Sequence, residues 1–153
     1  MKLVKPRVMS RILEYLIVGM MVLDGILVAT LYWTITDITG RVAGESGRLF
    51  EKYFVVLAVS GLIAELILWQ ARKIMRNIRR GRAFSQGTVH HLSVIAWECL
   101  CLSGFYVLMS FFVHKFFMVA VFAAFALMGL LLLVLAALFA DAIQYKREND
   151  MTI

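Results

Sequence analysis

Four long apolar stretches, separated by short polar ones, account for most of the chain: approximately Ile12 to Trp33, Tyr53 to Ala71, Leu92 to Val113 and Phe116 to Phe139. A hydrocarbon core of about 30 Å takes about 20 residues of helix per crossing. Each stretch meets that length, and none alternates strictly enough to read as a barrel strand of about ten residues. The pattern predicts an all-α integral membrane protein, a four-helix transmembrane bundle forming one transmembrane domain over residues 1–153. The last two stretches meet at His114 and Lys115 with almost no loop, which makes them antiparallel neighbours. The first two are separated by Thr34 to Lys52, where Gly40, Gly44 and Gly47 suggest a polar connection rather than a domain.

Between the second and third stretches the helical pattern outlasts the apolar run. Ile74 and Ile78 are one turn apart with basic residues around them, so residues 72–85 read as an amphipathic elbow at the headgroups. Gly81 is a natural stop, because glycine takes the left-handed conformation at a helix end without steric cost. Ser85 is then placed to cap the next helix, with Phe84 and Val89 at the spacing of a hydrophobic staple.

Composition and charge sharpen this picture. The chain is 62% hydrophobic and 17% charged, with one proline, and its mean hydropathy is +0.85. Soluble domains are about half apolar and about a quarter charged, so a soluble fold, a disordered chain and a disulfide-stapled module are excluded. Lysines and arginines favour cytoplasmic segments. Four lie in the amino tail (Lys2, Lys5, Arg7, Arg11), six in the elbow (Arg72, Lys73, Arg76, Arg79, Arg80, Arg82) and two near the carboxyl end (Lys146, Arg147), against Arg41, Arg48, Lys52 and Lys115 on the opposite side. Both termini are therefore expected to be cytoplasmic. The net charge of +6 reads as a topology signal, with anionic lipid as the partner of the basic elbow and no direct nucleic-acid binding expected. The first stretch contains Asp24 and lacks a small-x-small cleavage site behind it, so it reads as a retained span rather than a signal peptide.

Four acids remain inside the spans. Glu14 lies near the inner interface, where solvent or Arg11 can satisfy it. Asp24, Glu65 and Glu98 fall within roughly 10 Å of one another in depth at 1.5 Å per residue, and intramembrane ionisable groups usually face the bundle interior or a wet cavity. They form the candidate intramembrane polar site. Three roles are open to them: packing through hydrogen bonds to Ser60, Ser93, Ser103, Tyr106, Thr30 or a neighbouring helix, a proton or cation site, or a pocket for a hydrophobic ligand from the bilayer.

Other constellations carry less. His90 and His91 project about 100° apart on a helix, and His91 and Glu98 lie about 10 Å apart along it, too far to share one metal ion. Cys99 and Cys101 fall on nearly opposite faces and read as reduced thiols. The pairs Gly25 and Ala29, Ser60 and Ala64, and Ala120 and Ala124 permit close helix approach, within the bundle or in a homo-oligomer. The sequence contains no P-loop, nucleophile elbow, zinc-protease motif or dinucleotide fingerprint. An enzyme is not expected, nor a metal or other cofactor.

The segment Lys73-Ile74-Met75-Arg76-Asn77-Ile78, then Gly81-Arg82-Ala83-Phe84-Ser85 with Val89, Leu92 and Ile95, resembles the central motif of the DUF2975 family of small bacterial four-span membrane proteins. The carboxyl end, Lys146-Arg147-Glu148-Asn149-Asp150-Met151-Thr152-Ile153, is similar to that family's closing segment, with Met151 at its usual leucine. The resemblance implies a bacterial inner-membrane location. It also implies association with a small cytoplasmic helix-turn-helix regulator, since such regulators are often encoded beside family members, and it supplies no catalytic residue. The expected function is therefore a non-enzymatic membrane protein acting through a cytoplasmic partner. The partner would dock on Arg72, Lys73, Arg76, Arg79, Arg80, Arg82 and Phe84. The alternative is a small transporter, channel-like or bacteriocin-immunity protein using Asp24, Glu65 and Glu98.

Overall fold

The computed structural model describes residues 6–42, 47–82, 84–113 and 116–151. Four helices account for nearly all of them: α1 Pro6–Val42, α2 Gly47–Arg79, α3 Gln86–Val113 and α4 Phe116–Met151. Each contains a segment long and apolar enough to cross a membrane, namely Arg11–Trp33, Tyr53–Arg79, Gln86–Phe112 and Phe117–Asn149. The chain is a multi-pass membrane protein built as a four-helix bundle, and the described residues contain no strand.

The helices run well past the apolar stretches. At 1.5 Å per residue, the 37 residues of α1 extend about 55 Å, well beyond a hydrocarbon core of about 30 Å. The expected polar connection from Thr34 to Lys52 is thus mostly helix: α1 continues to Val42 and α2 begins at Gly47. Threonine, glycine and charged residues lowered the apolar signal there without breaking the backbone hydrogen-bond ladder, which is indifferent to polarity. Residues 140–151 likewise continue α4 rather than forming a tail. His114 and Lys115, the expected α3–α4 junction, lie outside the described residues.

The elbow forms as its local chemistry dictates. Gly81 has φ 73°, its N–H donates to the Ile78 carbonyl at 3.0 Å, and the Arg82 N–H donates to the Asn77 carbonyl at 3.0 Å. This pair of bonds is the Schellman closure that satisfies the last carbonyls of a helix. Ser85 Oγ accepts from the Thr88 N–H at 3.3 Å, and the Ser85 carbonyl accepts from the same N–H at 2.9 Å, capping α3. Phe84 spends its ring on α4, edge-on to Phe139 at 5.3 Å.

Packing follows chain order: α1 against α2, α2 against α3 and α3 against α4, with no close approach of α1 to α4 among the described residues. The core sits toward the elbow end. Ile74 of α2, Leu92, Ile95 and Cys99 of α3, and Ala136 of α4 are buried together, with Ile67, Ala71, Phe125 and Leu132 around them. Lipid tails are as apolar as leucine, so helices associate in a bilayer by close fit rather than by a hydrophobic drive. Two glycines supply that fit. A Cβ on Gly129 would lie 2.8 Å from Leu100 Cγ and 3.0 Å from the Ala96 carbonyl, and one on Gly61 would overlap a methyl of Val28. By contrast α1 buries little besides Ile17, and it turns Leu16, Met20, Leu23 and Ile26 outward.

Candidate functional site

Gly61 brings α1 and α2 together at mid-membrane depth, and there the four helices leave a cavity of about 300 Å³. Asp24, Val28 and Leu31 of α1 form one wall, Ser60 and Ala64 of α2 another, and Leu102 and Tyr106 of α3 with Phe125 of α4 close the far side. Leu27 and Leu57 also line it and are about half exposed, so the mouth opens sideways, toward the bilayer. Tyr106 and Phe125 stack with ring planes only 5° apart and centroids 6.1 Å apart, making the floor flat and aromatic.

The polar groups of this cavity have a fixed sense. Ser60 Oγ lies 2.6 Å from the Val56 carbonyl, which can only accept, so the one serine proton is donated there. Ser60 Oγ lies 2.8 Å from Tyr106 Oη, so the tyrosine hydroxyl must be the donor in that contact. Tyr106 Oη keeps its lone pairs. Asp24 Oδ2 is buried without a hydrogen-bond partner among the described residues, and its Oδ1 lies 3.8 Å from the position of a Cβ on Gly61.

The three expected site acids are not gathered in this cavity. Asp24 lines it, and Glu65 and Glu98 do not. Gly61, Glu65, Arg72 and Arg79 follow one another by four, seven and seven residues, a spacing that keeps them on one stripe of α2. That stripe faces α1, because Gly61 meets Val28 and Arg79 meets Glu14. Glu65 is thus level with the cavity, between its lining residues Ala64 and Ile67 and near the depth of Asp24, but on the side of α2 that packs on α1. Glu98 lies on α3 between the buried Ile95 and Leu102. Glu65 Oε2 and Glu98 Oε2 are buried without hydrogen-bond partners among the described residues. Of the hydroxyls expected to satisfy the acids, Ser103 donates to the Phe122 carbonyl at 3.3 Å and Thr30 to the Ile26 carbonyl at 2.8 Å.

Glu14 finds a different partner from the neighbouring Arg11. Its Oε2 lies 2.7 Å from Arg79 Nη1, with the glutamate side chain 13% exposed and the arginine 42%. One elbow arginine therefore belongs to the α1–α2 interface. Of the remaining expected docking residues, Lys73 sits over the Trp69 ring at 5.6 Å, Arg72 Nε is buried and Arg76 is half-buried, whereas Arg80, Arg82 and Phe84 are exposed.

A second concavity, about 490 Å³, lies where α3 begins and α4 ends, lined by Gln86, His90, Asp141, Gln144 and Arg147 among others. His90 is exposed and tilted against His91, with 5.7 Å between centroids. Of the small-residue pairs, Ser60 and Ala64 line the mid-membrane cavity, whereas Gly25, Ala29, Ala120 and Ala124 face outward. The residues that sequence reasoning missed are Gly61, Gly129 and Phe125. A glycine within an apolar span was the available signal for the first two, and nothing in the local pattern distinguishes Phe125 from its lipid-facing neighbours.

A family model described as "Protein of unknown function (DUF2975)" matches residues 13–153, and the chain belongs to that family. No curated protein and no solved structure matches it.

Proposed function

We propose that this DUF2975 protein is a non-enzymatic protein of the bacterial inner membrane that acts through a cytoplasmic protein partner docking on its basic elbow. The observation that carries the reading is the elbow itself. A Schellman closure at Gly81 and a serine cap at Ser85 hold the backbone on either side of the elbow, where Arg80, Arg82 and Phe84 are exposed. A backbone held in this way loses less conformational entropy on binding than a flexible tail. Its positive charge suits an acidic face on the partner, and a helix-turn-helix regulator of the kind often encoded beside family members is the partner class. The lysine and arginine bias supports a cytoplasmic side for both termini and the elbow. Anionic lipids compete for the same arginines at about 1 kcal/mol each.

The test is pulldown of the neighbouring regulator by the full chain in detergent. Arg80→Glu with Arg82→Glu should abolish capture and leave membrane insertion intact, whereas unchanged capture rejects the docking reading. Reporter fusions at either terminus should be active only in a cytoplasmic orientation.

A second reading is favoured by one observation, the three buried carboxylate oxygens of Asp24, Glu65 and Glu98 that lack hydrogen-bond partners among the described residues. In it the chain is a small transporter, channel-like or bacteriocin-immunity protein that moves or holds a proton or cation at these acids. Glu65→Gln and Glu98→Gln should then abolish proton-coupled flux in liposomes. Absence of flux in the unmodified protein rejects the transport version.

A further inference from the structure

From the mid-membrane cavity we infer a binding site for a small lipophilic amine, entering from the bilayer between α1 and α2 and held by Asp24 and Tyr106. The inference is independent of partner docking at the elbow, and it uses only Asp24 of the three intramembrane acids.

Three features select this ligand class. The first is the sense of the polar groups. The serine proton goes to the Val56 carbonyl and the tyrosine proton goes to Ser60, so the cavity offers the Asp24 carboxylate and the Tyr106 lone pairs with no side-chain hydroxyl donor left over. Against an ionised Asp24, a carboxylate or phosphate would meet only acceptors and a like charge. An ammonium brings donors and a balancing charge, and its hydrogen bond to a carboxylate is of the stronger, charge-assisted kind. The second feature is the wall. Leu27, Val28, Leu31, Leu57, Ile67 and Leu102 surround the polar pair, so the ligand needs an apolar body as well as a nitrogen. The flat Tyr106–Phe125 stack completes the floor, and an ammonium near an aromatic face gains further attraction.

The third feature separates an amine from a bare metal cation. Sodium-like and calcium-like ions need about six oxygen ligands, and the oxygens contributed by side chains here are those of Asp24, Ser60 and Tyr106. An organic ammonium is satisfied by two or three acceptors and fills the remaining volume with carbon. Entry is lateral because Leu27 and Leu57 flank an open mouth. An amine partitioned into the bilayer therefore reaches Asp24 without crossing the bundle. If it arrives neutral and the aspartic acid protonated, the proton passes from Asp24 to the nitrogen and an ion pair forms.

The experiment uses the full chain in nanodiscs of zwitterionic lipid, with n-octylamine, n-octanol and n-octanoate as probes of equal length and different head. Binding is read as a saturable rise in the thermal unfolding temperature. Octylamine should raise it in the unmodified protein, and octanol and octanoate should not. Asp24→Asn should weaken the apparent affinity at least tenfold and Tyr106→Phe severalfold. Ala64→Phe, which fills the cavity and leaves the carboxylate in place, should abolish the shift. Should Asp24→Asn fail to fold, Tyr106→Phe and Ala64→Phe decide the question. Equal shifts with all three probes, an unchanged octylamine shift in Ala64→Phe, or the same shift from sodium or potassium chloride alone would overturn the assignment.

Discussion

Arg79, in the last turn of α2, reaches across to Glu14 near the start of α1 with 2.7 Å between Nη1 and Oε2. The contact fixes the axial register of the two helices at the elbow end, as the fit of Val28 over Gly61 fixes it at mid-depth. Between these points α1 and α2 can slide only by breaking one or the other.

Breaking the ion pair should therefore loosen α1. The arginine is 42% exposed, so solvent screens the attraction and the pair itself contributes about 0.5–1 kcal/mol. Arg79→Gln leaves a mostly buried Glu14 behind and should cost more than Glu14→Gln. In a double-mutant cycle, followed by denaturant unfolding in detergent, the two losses should not add. Additive losses would show that the contact contributes nothing.

Gly61 and Gly129 should behave unlike the other helical glycines. Adding a methyl at Gly129 pushes on Leu100 and on the Ala96 backbone oxygen, and overpacking of this kind costs about 1–3 kcal/mol. Gly61→Ala should cost less than Gly129→Ala, since Val28 is a side chain and can shift. Gly19 and Gly25 have nothing within 4 Å of a Cβ, so alanine there should stabilise by about 0.5–1 kcal/mol through helix propensity. Unfolding midpoints of the four alanine variants check the ordering.

At the elbow, Gly81→Ala forces a Cβ into the left-handed region and should cost about 1 kcal/mol, with Gly81→Asn costing less. Ser85→Ala removes the side-chain acceptor for the Thr88 N–H, leaving only the Ser85 carbonyl, and should cost about 0.5–1 kcal/mol. Both substitutions should increase hydrogen exchange at residues 77–88 before any change elsewhere in the chain.

The two cysteines should label at different rates. Cys99 is 3% exposed in the core and Cys101 faces outward. A small lipophilic maleimide should modify Cys101 in the folded protein and reach Cys99 only on unfolding. Mass spectrometry of the labelled peptide distinguishes the two sites, and equal labelling would place Cys99 outside the core.

The four spans, the elbow and its caps were all legible in the sequence. Insertion into a bilayer depends on the apolar length of each segment, and caps depend on residues within about five positions of one another, so both are local. The polar stretch after Trp33 does not weaken backbone hydrogen bonds, so α1 ran on to Val42. For Glu14 the sequence offers solvent or Arg11 nearby, whereas Arg79, distant in sequence, lies across the helix interface.

By itself, the sequence determined that this chain crosses a membrane four times, where it turns at Gly81 and Ser85, and that Asp24, Glu65 and Glu98 lie within the spans. Only the tertiary structure decided that Asp24, and neither Glu65 nor Glu98, lines the cavity beside Tyr106 and Phe125, that Ser60 and Tyr106 bond to each other rather than to an acid, and that Gly61 and Gly129 set the helix contacts. The physical reason is the solvent. In water an apolar stripe marks the buried face of a helix, but in a bilayer the lipid-facing side is apolar too. Which side of a helix meets protein is then set by shape and by long-range polar pairing, neither of which appears as an apolar stripe.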